Sequence, residues 1–211
     1  MINKNYLQVQ AHYETCFERE GDSCKGVDWP NERDARLRYQ VMTGLFKQDN
    51  ATTIADIGCG LGHYYAYLKE TGQLQHCHYT GLDISAKMTA ACKKKYPDTD
   101  FITIDLLAEP CTHRFDYAVL NGVFTVKNTL SQQDMWEFFT ALIQRCFALV
   151  DKGIAFNLMS KNVDWEREDL FHVSMDELSS FLTTHLSRHF EIKHQYGLYE
   201  YTVYLYKEAK A

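Results

Sequence analysis

The chain reads as an α/β protein on a doubly wound, mostly parallel sheet of seven strands. An N-terminal helical lid precedes the sheet and an antiparallel C-terminal hairpin closes it. Three observations predict this. Apolar periodicity alternates between strand and helix along the chain. A glycine-rich turn, Gly58-Cys59-Gly60-Leu61-Gly62, leaves the short apolar strand Thr53-Ile54-Ala55 and runs into a helix expected from His63. About twenty residues on, a second strand (residues 78–82) ends in Asp83, placed to hold a ribose. Strand, glycine turn, helix, strand and acid together make a nucleoside site.

Each element follows from its local pattern. An N-terminal helix is expected over residues 7–19, then a loop holding Gly21, Gly26 and Pro30. A helix over 31–47 starts at the cap Asn31 and repeats apolar residues at Tyr39, Met42, Leu45 and Phe46. Ser85 caps a helix with Met88, Ala91, Cys92 and Tyr96 on one face. Strand three (101–104) ends in Asp105, and strand four (117–120) ends in Asn121. Ser131 caps a long helix whose Met135, Phe138, Phe139, Leu142, Cys146 and Phe147 have the period of a core face. Strand five covers 154–158. Ser174-Met175-Asp176-Glu177 is a capping box opening a helix through Leu186. Strands over 190–196 and 200–207, joined tightly through Gly197, fit an antiparallel hairpin.

Bulk properties narrow the partners. The 211 residues suit one domain with a substantial core. Lys and Arg number 22 against 28 Asp and Glu, a net charge of −6. An acidic chain gains nothing from counterion release, which argues against a nucleic-acid partner. Lys93-Lys94-Lys95 reads as the solvated end of a helix. No apolar run reaches membrane-spanning length, and residues 1–5 lack a signal-peptide core. The 7 cysteines, odd in number and without a C-x-x-C pair, read as reduced thiols of a cytoplasmic protein. His76 and His78 share one strand face while Cys77 takes the other, and no second cluster has zinc spacing, so no metal is expected.

Which nucleoside binds is decided by Asp56. It stands two residues before the first glycine, where it would repel a pyrophosphate but suit a cationic ligand. The sixth position of the dinucleotide fingerprint is His63 rather than glycine. The run Asp56-Ile57-Gly58-Cys59-Gly60-Leu61-Gly62 resembles the first motif of class I S-adenosylmethionine-dependent methyltransferases, whose Rossmann-like sheet ends in an antiparallel strand. Gly26-Val27-Asp28-Trp29 and the following arginines (Arg33, Arg36, Arg38) resemble a subgroup of bacterial methyltransferases of unassigned substrate. This second likeness spans nearly the whole chain. The block Asn121-Gly122-Val123-Phe124 lacks the prolines of members that methylate amide or exocyclic nitrogen, and so resembles the small-molecule members instead.

The resemblance implies a cofactor, S-adenosyl-L-methionine, and roles at the strand ends. Asp56, Gly58, Cys59, Gly60 and Gly62 surround its methionine tail, Asp83 holds the ribose hydroxyls, and Ile84 packs beside the adenine. Asp105, with Leu106 next to it, meets the adenine amino group, and Asn121 lies near the methyl group. Trp29 would lie over the sulfonium and Arg38 would pair with the cofactor carboxylate. Asp116, at the far end of strand four, is discounted. His172, on the loop after strand five, is the candidate general base for a hydroxyl acceptor, ahead of His63 and Tyr64. Tyr13, Tyr199 and Tyr201 are candidates for the acceptor pocket. The expected layout is a helical cap (1–48), a cofactor-binding core (49–160) and a substrate-side loop, helix and hairpin (161–211). The expected activity is methyl transfer to a small molecule, at oxygen, by a monomer or homodimer. A protein or RNA methyltransferase, a non-catalytic cofactor-binding protein and a nicotinamide oxidoreductase are the rivals, in that order.

Overall fold

A computed structural model describes residues 3–47, 49 and 52–209. Positions 1 and 2 of the expected leaderless start, and the expected cap boundary at 48, lie outside the described residues. Eight strands form one sheet: β1 (Thr52–Ile57), β2 (Cys77–Asp83), β3 (Asp100–Thr103), β4 (Phe115–Leu120), β5 (Val150–Ser160), β6 (His172–Val173), β7 (Phe190–Lys193) and β8 (Glu200–Tyr206). Six α-helices accompany them: α1 (Leu7–Glu20), α2 (Glu32–Thr43), α3 (His63–Glu70), α4 (Ala86–Lys95), α5 (Gln132–Ala148) and α6 (Met175–His185). The strand order is β3-β2-β1-β4-β5-β8-β7, with β6 pairing to the end of β5. Strands β1 to β6 pair in parallel, while β8 runs antiparallel to both β5 and β7. The chain reverses its direction of winding between β1 and β4, which is where such sheets hold ligands.

The predicted caps are in place. Asn31, Ser85, Ser131 and Ser174 each accept the N–H three residues on, from Asp34, Met88, Asp134 and Glu177. Helix α5 buries Met135, Phe138, Phe139, Leu142, Cys146 and Phe147 against the sheet. Cys77 is buried and its two histidine neighbours are exposed, as strand alternation requires. Asp116 accepts both the N–H and the hydroxyl of Thr53, which clamps β4 to β1 at the end away from the ligand.

Three features differ from expectation. The strand expected over 190–196 ends at Lys193, so the hairpin is closed by a six-residue connection, 194–199, rather than tightly through Gly197. The eighth strand, β6, is a two-residue pairing of 172–173 with Met159 and Ser160, too short to leave a period in the sequence. Helix α2 ends at Thr43 rather than near Lys47. There the Tyr204 hydroxyl donates to the Val41 carbonyl, and it packs so close to Gly44 that any Cβ would lie 2.4 Å from it. The last strand thus shares the Val41 carbonyl with the Gly44 N–H, which closes the helix at 3.0 Å in a tighter three-residue turn.

Candidate active site

The turn after β1 is tied to the end of β2 by backbone groups. Gly58 and Cys59 donate to the Leu82 carbonyl at 2.8 and 3.1 Å, and Gly60 donates to Asp83 Oδ2 at 2.8 Å. The three glycines hold φ of +71°, +53° and +71°, and a Cβ on Gly58 would lie 2.7 Å from Val123. Glycine alone fits so tight a left-handed turn without strain. Beneath it lies a narrow cavity of about 160 Å3. Asp56, Gly58, Cys59, Gly60, Asp83, Ile84, Asp105, Leu106, Asn121 and Trp29 all line it, as do Phe138 and Leu142 from the core face of α5. Gly62 stands just outside, as the left-handed cap of α3.

Its electrostatics are set by burial. Asp83 is 8% exposed; its two oxygens accept the Gly60 and Ser85 N–H groups, each at 2.8 Å, and each keeps a further lone pair. Burial raises its carboxyl above the usual range. Asp56 is deeper, at 2% exposed. Burial pushes it up to about 7, against the lowering effect of the Tyr79 hydroxyl that donates to it at 2.6 Å. The Cys59 thiol is held well above its ordinary value, first by its hydrogen bond with Cys92 and then by burial. Asp105 accepts the Tyr6 hydroxyl at 2.8 Å and the Leu107 N–H at 3.0 Å, so it both faces the cavity and caps its own turn. Asn121 Oδ1 is buried with no partner in the protein. A cradle that a Cβ would fill, buried acids with lone pairs to spare and an orphaned amide oxygen fit a nucleoside with a cationic tail.

A second, wider cleft of about 600 Å3 adjoins the first, and Trp29 lines both. Trp29 presses on Gly122, whose φ is +80° and whose Cβ, if present, would lie 2.5 Å from the indole. Tyr199 lines the second cleft, Tyr13 lines the first, and Tyr201 lines neither. The Tyr201 ring is 0% exposed and its hydroxyl donates to the Val173 carbonyl at 3.1 Å. His63 and Tyr64 line the first cavity; His63 Nε2 pairs with Asp22 at 2.8 Å and Tyr64 meets Thr43.

Two expectations are corrected. Arg38 does not face the cofactor cavity; its Nε and Nη2 hold Glu200 at 2.7–3.0 Å, and its guanidinium stacks 4.2 Å from the Trp29 ring. Strand β8 brings Glu200 there, and a buried guanidinium paired to a buried carboxylate is not available for another partner on those atoms. His172 is not a free base. Its Nδ1 lies 2.6 Å from the Ser160 carbonyl and so carries the proton, and its Nε2 accepts the Arg167 N–H at 3.2 Å. Both ring nitrogens are spent on the loop.

Other residues were not anticipated. Asn157 donates to Glu200 Oε1 at 3.0 Å and accepts the Gly122 N–H at 2.7 Å. A chain of contacts therefore runs Arg38–Glu200–Asn157–Gly122 from the second cleft to the first. Asn157 could have been noticed as a polar residue inside an otherwise apolar strand. His12 Nε2 lies 2.8 Å from Asp28 Oδ2, with Cys16 Sγ 3.8 Å from the same nitrogen. Asp28 has a left-handed backbone, φ +58°, and lines the second cleft beside Trp29.

Residues 54–146 match the model of a methyltransferase domain. That match falls on the Rossmann-like sheet, and the chain has the mixed α/β methyltransferase fold expected from its sequence. It is similar to the putative methyltransferase Rv1506c of Mycobacterium tuberculosis, with 28% identity over 160 residues, covering 74% of this chain and 93% of that protein. Two solved structures share the fold. One is the magnesium protoporphyrin IX methyltransferase ChlM of Synechocystis PCC 6803 with bound cofactor, at TM-score 0.66, 16% identity and 98% of each chain. The other is the 1,6-didemethyltoxoflavin-N1-methyltransferase of Burkholderia thailandensis, at TM-score 0.68, 15% identity, and 100% of this chain with 91% of that one.

Proposed function

We propose that the protein transfers a methyl group from S-adenosylmethionine to the oxygen of a small-molecule acceptor. The observation that carries this is the pair of cavities meeting at Trp29, a narrow slot for the cofactor and a metabolite-sized cleft beside it. The two solved structures above are named for small-molecule acceptors, one of them for transfer to a ring nitrogen, N1, so they support the small-molecule part of this reading.

In this reading Asp83 accepts hydrogen bonds from the ribose, Asp56 neutralises the ammonium of the methionine tail, Ile84 and Leu106 flank the adenine, and Asp105 takes its amino group. The sulfonium supplies the methyl group. The chain aligns the acceptor with it and keeps water out, which is most of what an in-line displacement requires. Asn121, which lines the cofactor slot with its Oδ1 unpartnered, would lie near the methyl group. A hydroxyl acceptor must lose a proton, and with His172 engaged elsewhere the group that takes it is Asp28, backed by His12. The seven free cysteines and the acidic charge accord with a cytoplasmic enzyme of soluble metabolites. Among the described residues no helix is long and apolar enough to cross a membrane.

Calorimetric titration with S-adenosylhomocysteine, with NAD as control, tests the cofactor half. Binding that NAD lacks is the expected result. Transfer of label from S-adenosylmethionine in a metabolite extract tests the acceptor half. Label should appear in the ultrafiltrate as an ether or ester, and recovery with protein or RNA would overturn the small-molecule reading.

A further inference from the structure

We infer that the second cleft is the acceptor site and that it takes a flat, uncharged aromatic molecule bearing a carbonyl oxygen, which Arg38 Nη1 holds. This rests on the methyltransferase reading and adds the chemistry of the acceptor.

Three observations point to such a ligand. The first is an unmet donor. Arg38 lines the cleft, is 8% exposed, and uses Nε and Nη2 on Glu200, but its Nη1 is buried with no partner in the protein. Buried polar groups are nearly always paired, so an isolated N–H on a cleft-lining guanidinium marks where a ligand acceptor belongs. The second is the charge balance. A carboxylate approaching Arg38 would meet Glu200, already 2.7 Å from the same guanidinium. Around that pair the cleft wall carries four acidic side chains against three basic ones. Two carboxylates on one buried guanidinium repel strongly at low dielectric, whereas a neutral carbonyl oxygen accepts the hydrogen bond without that penalty.

The third observation is the rim. Trp165 and Tyr199 line the cleft and are 74% and 68% exposed, standing out among the described large hydrophobic residues. Aromatic faces left in water beside a cleft are suited to covering a flat ring. Seated there, the ligand has its carbonyl at Arg38; Trp29, which lines both cavities, forms the wall towards the cofactor, and Asp28 lines the cleft next to it. Its hydroxyl then loses its proton to Asp28. The oxygen forms the new bond to the methyl carbon as the carbon–sulfur bond breaks, leaving the cofactor as a neutral thioether.

The test compares two probes that differ only at the carbonyl, 4-hydroxyacetophenone and 4-hydroxybenzoate, titrated by ligand-observed NMR into protein saturated with S-adenosylhomocysteine. The ketone should bind about tenfold more tightly than the carboxylate. Trp165→Ala and Tyr199→Ala, both surface changes, should each weaken the ketone about threefold or more and leave S-adenosylhomocysteine affinity unchanged. Glu200→Gln removes the counter-charge and should narrow or reverse the preference. Equal or tighter binding of the carboxylate to the wild type overturns the inference, as does ketone affinity indifferent to both aromatic truncations. Absence of ketone binding by protein that binds S-adenosylhomocysteine overturns it too and leaves the cofactor reading intact. Failure to bind S-adenosylhomocysteine instead removes the reading beneath it.

Discussion

The two cavities that share Trp29 are held open by different parts of the polypeptide. The cofactor slot is framed by main-chain groups: the N–H groups of Gly58, Cys59 and Gly60 fasten one strand end to the next. The second cleft is framed by side chains: Arg38 holds Glu200 from 162 residues away, His172 ties its loop to the Ser160 carbonyl, and Arg167 pairs with Asp169 within one loop. A backbone frame survives most substitutions around it. A side-chain frame can be rebuilt by changing single residues, which suits a site whose ligand must vary while its cofactor does not.

Breaking the side-chain frame should have the largest effect. Glu200→Ala strands a buried guanidinium and should cost about 3–5 kcal/mol of stability by denaturant unfolding. S-adenosylhomocysteine affinity of the folded protein should stay near wild type, and a large loss there would mean that the two frames are one. Asp83→Ala tests the other side. It removes a buried acceptor from both the ligand and the Gly60 amide, and should lower cofactor affinity by about a hundredfold in calorimetry. Stability of the ligand-free protein should fall by about 1–3 kcal/mol, because the Gly60 and Ser85 N–H groups lose their acceptor.

A smaller effect separates the cavities by pH. Asp56 titrates near 7 in the folded chain against 3.8 ordinarily, so between those values the native state keeps a proton that the unfolded chain has released. Its contribution to stability is complete below 3.8 and declines as pH rises to 7. A cationic tail beside it works in the opposite sense. Cofactor affinity should rise with pH towards 7, by at most about tenfold per unit, and then level off. Proton release on binding, read by calorimetry in two buffers, checks this, and Asp56→Asn should abolish the slope. The least effect on transfer is expected from His172→Gln. It should lower stability by about 1 kcal/mol while the pH profile of methyl transfer keeps its shape. A lost acidic limb would restore His172 as a base.

The same division explains what could be read from the chain unaided. The glycine turn, Asp56, Asp83 and Asp105 sit at strand ends, where strand alternation and turn chemistry point to them directly, and the cavity gathers them. Helix caps are equally local. Nothing near Arg38 in sequence announces its partner Glu200, 162 residues away. His172 looked free because its partners are a carbonyl 12 residues back and a loop amide, neither of which leaves a residue-type signal. The apolar period of α2 runs on past Thr43, while the hydroxyl packed at its end belongs to the distant Tyr204. Periodicity reports what a segment buries, whereas these contacts depend on which distant segment arrives beside it.

That separation of 162 residues also orders the birth of the molecule. On the ribosome every residue lining the cofactor slot, from Tyr6 to Leu142, is made before β5, β7 or β8 exists. Arg38 must therefore wait, its charge still in water, until Glu200 emerges and inserts its strand between β5 and β7. Vectorial synthesis builds the half that grips the methyl donor first, and only the late strand gives the recipient its seat.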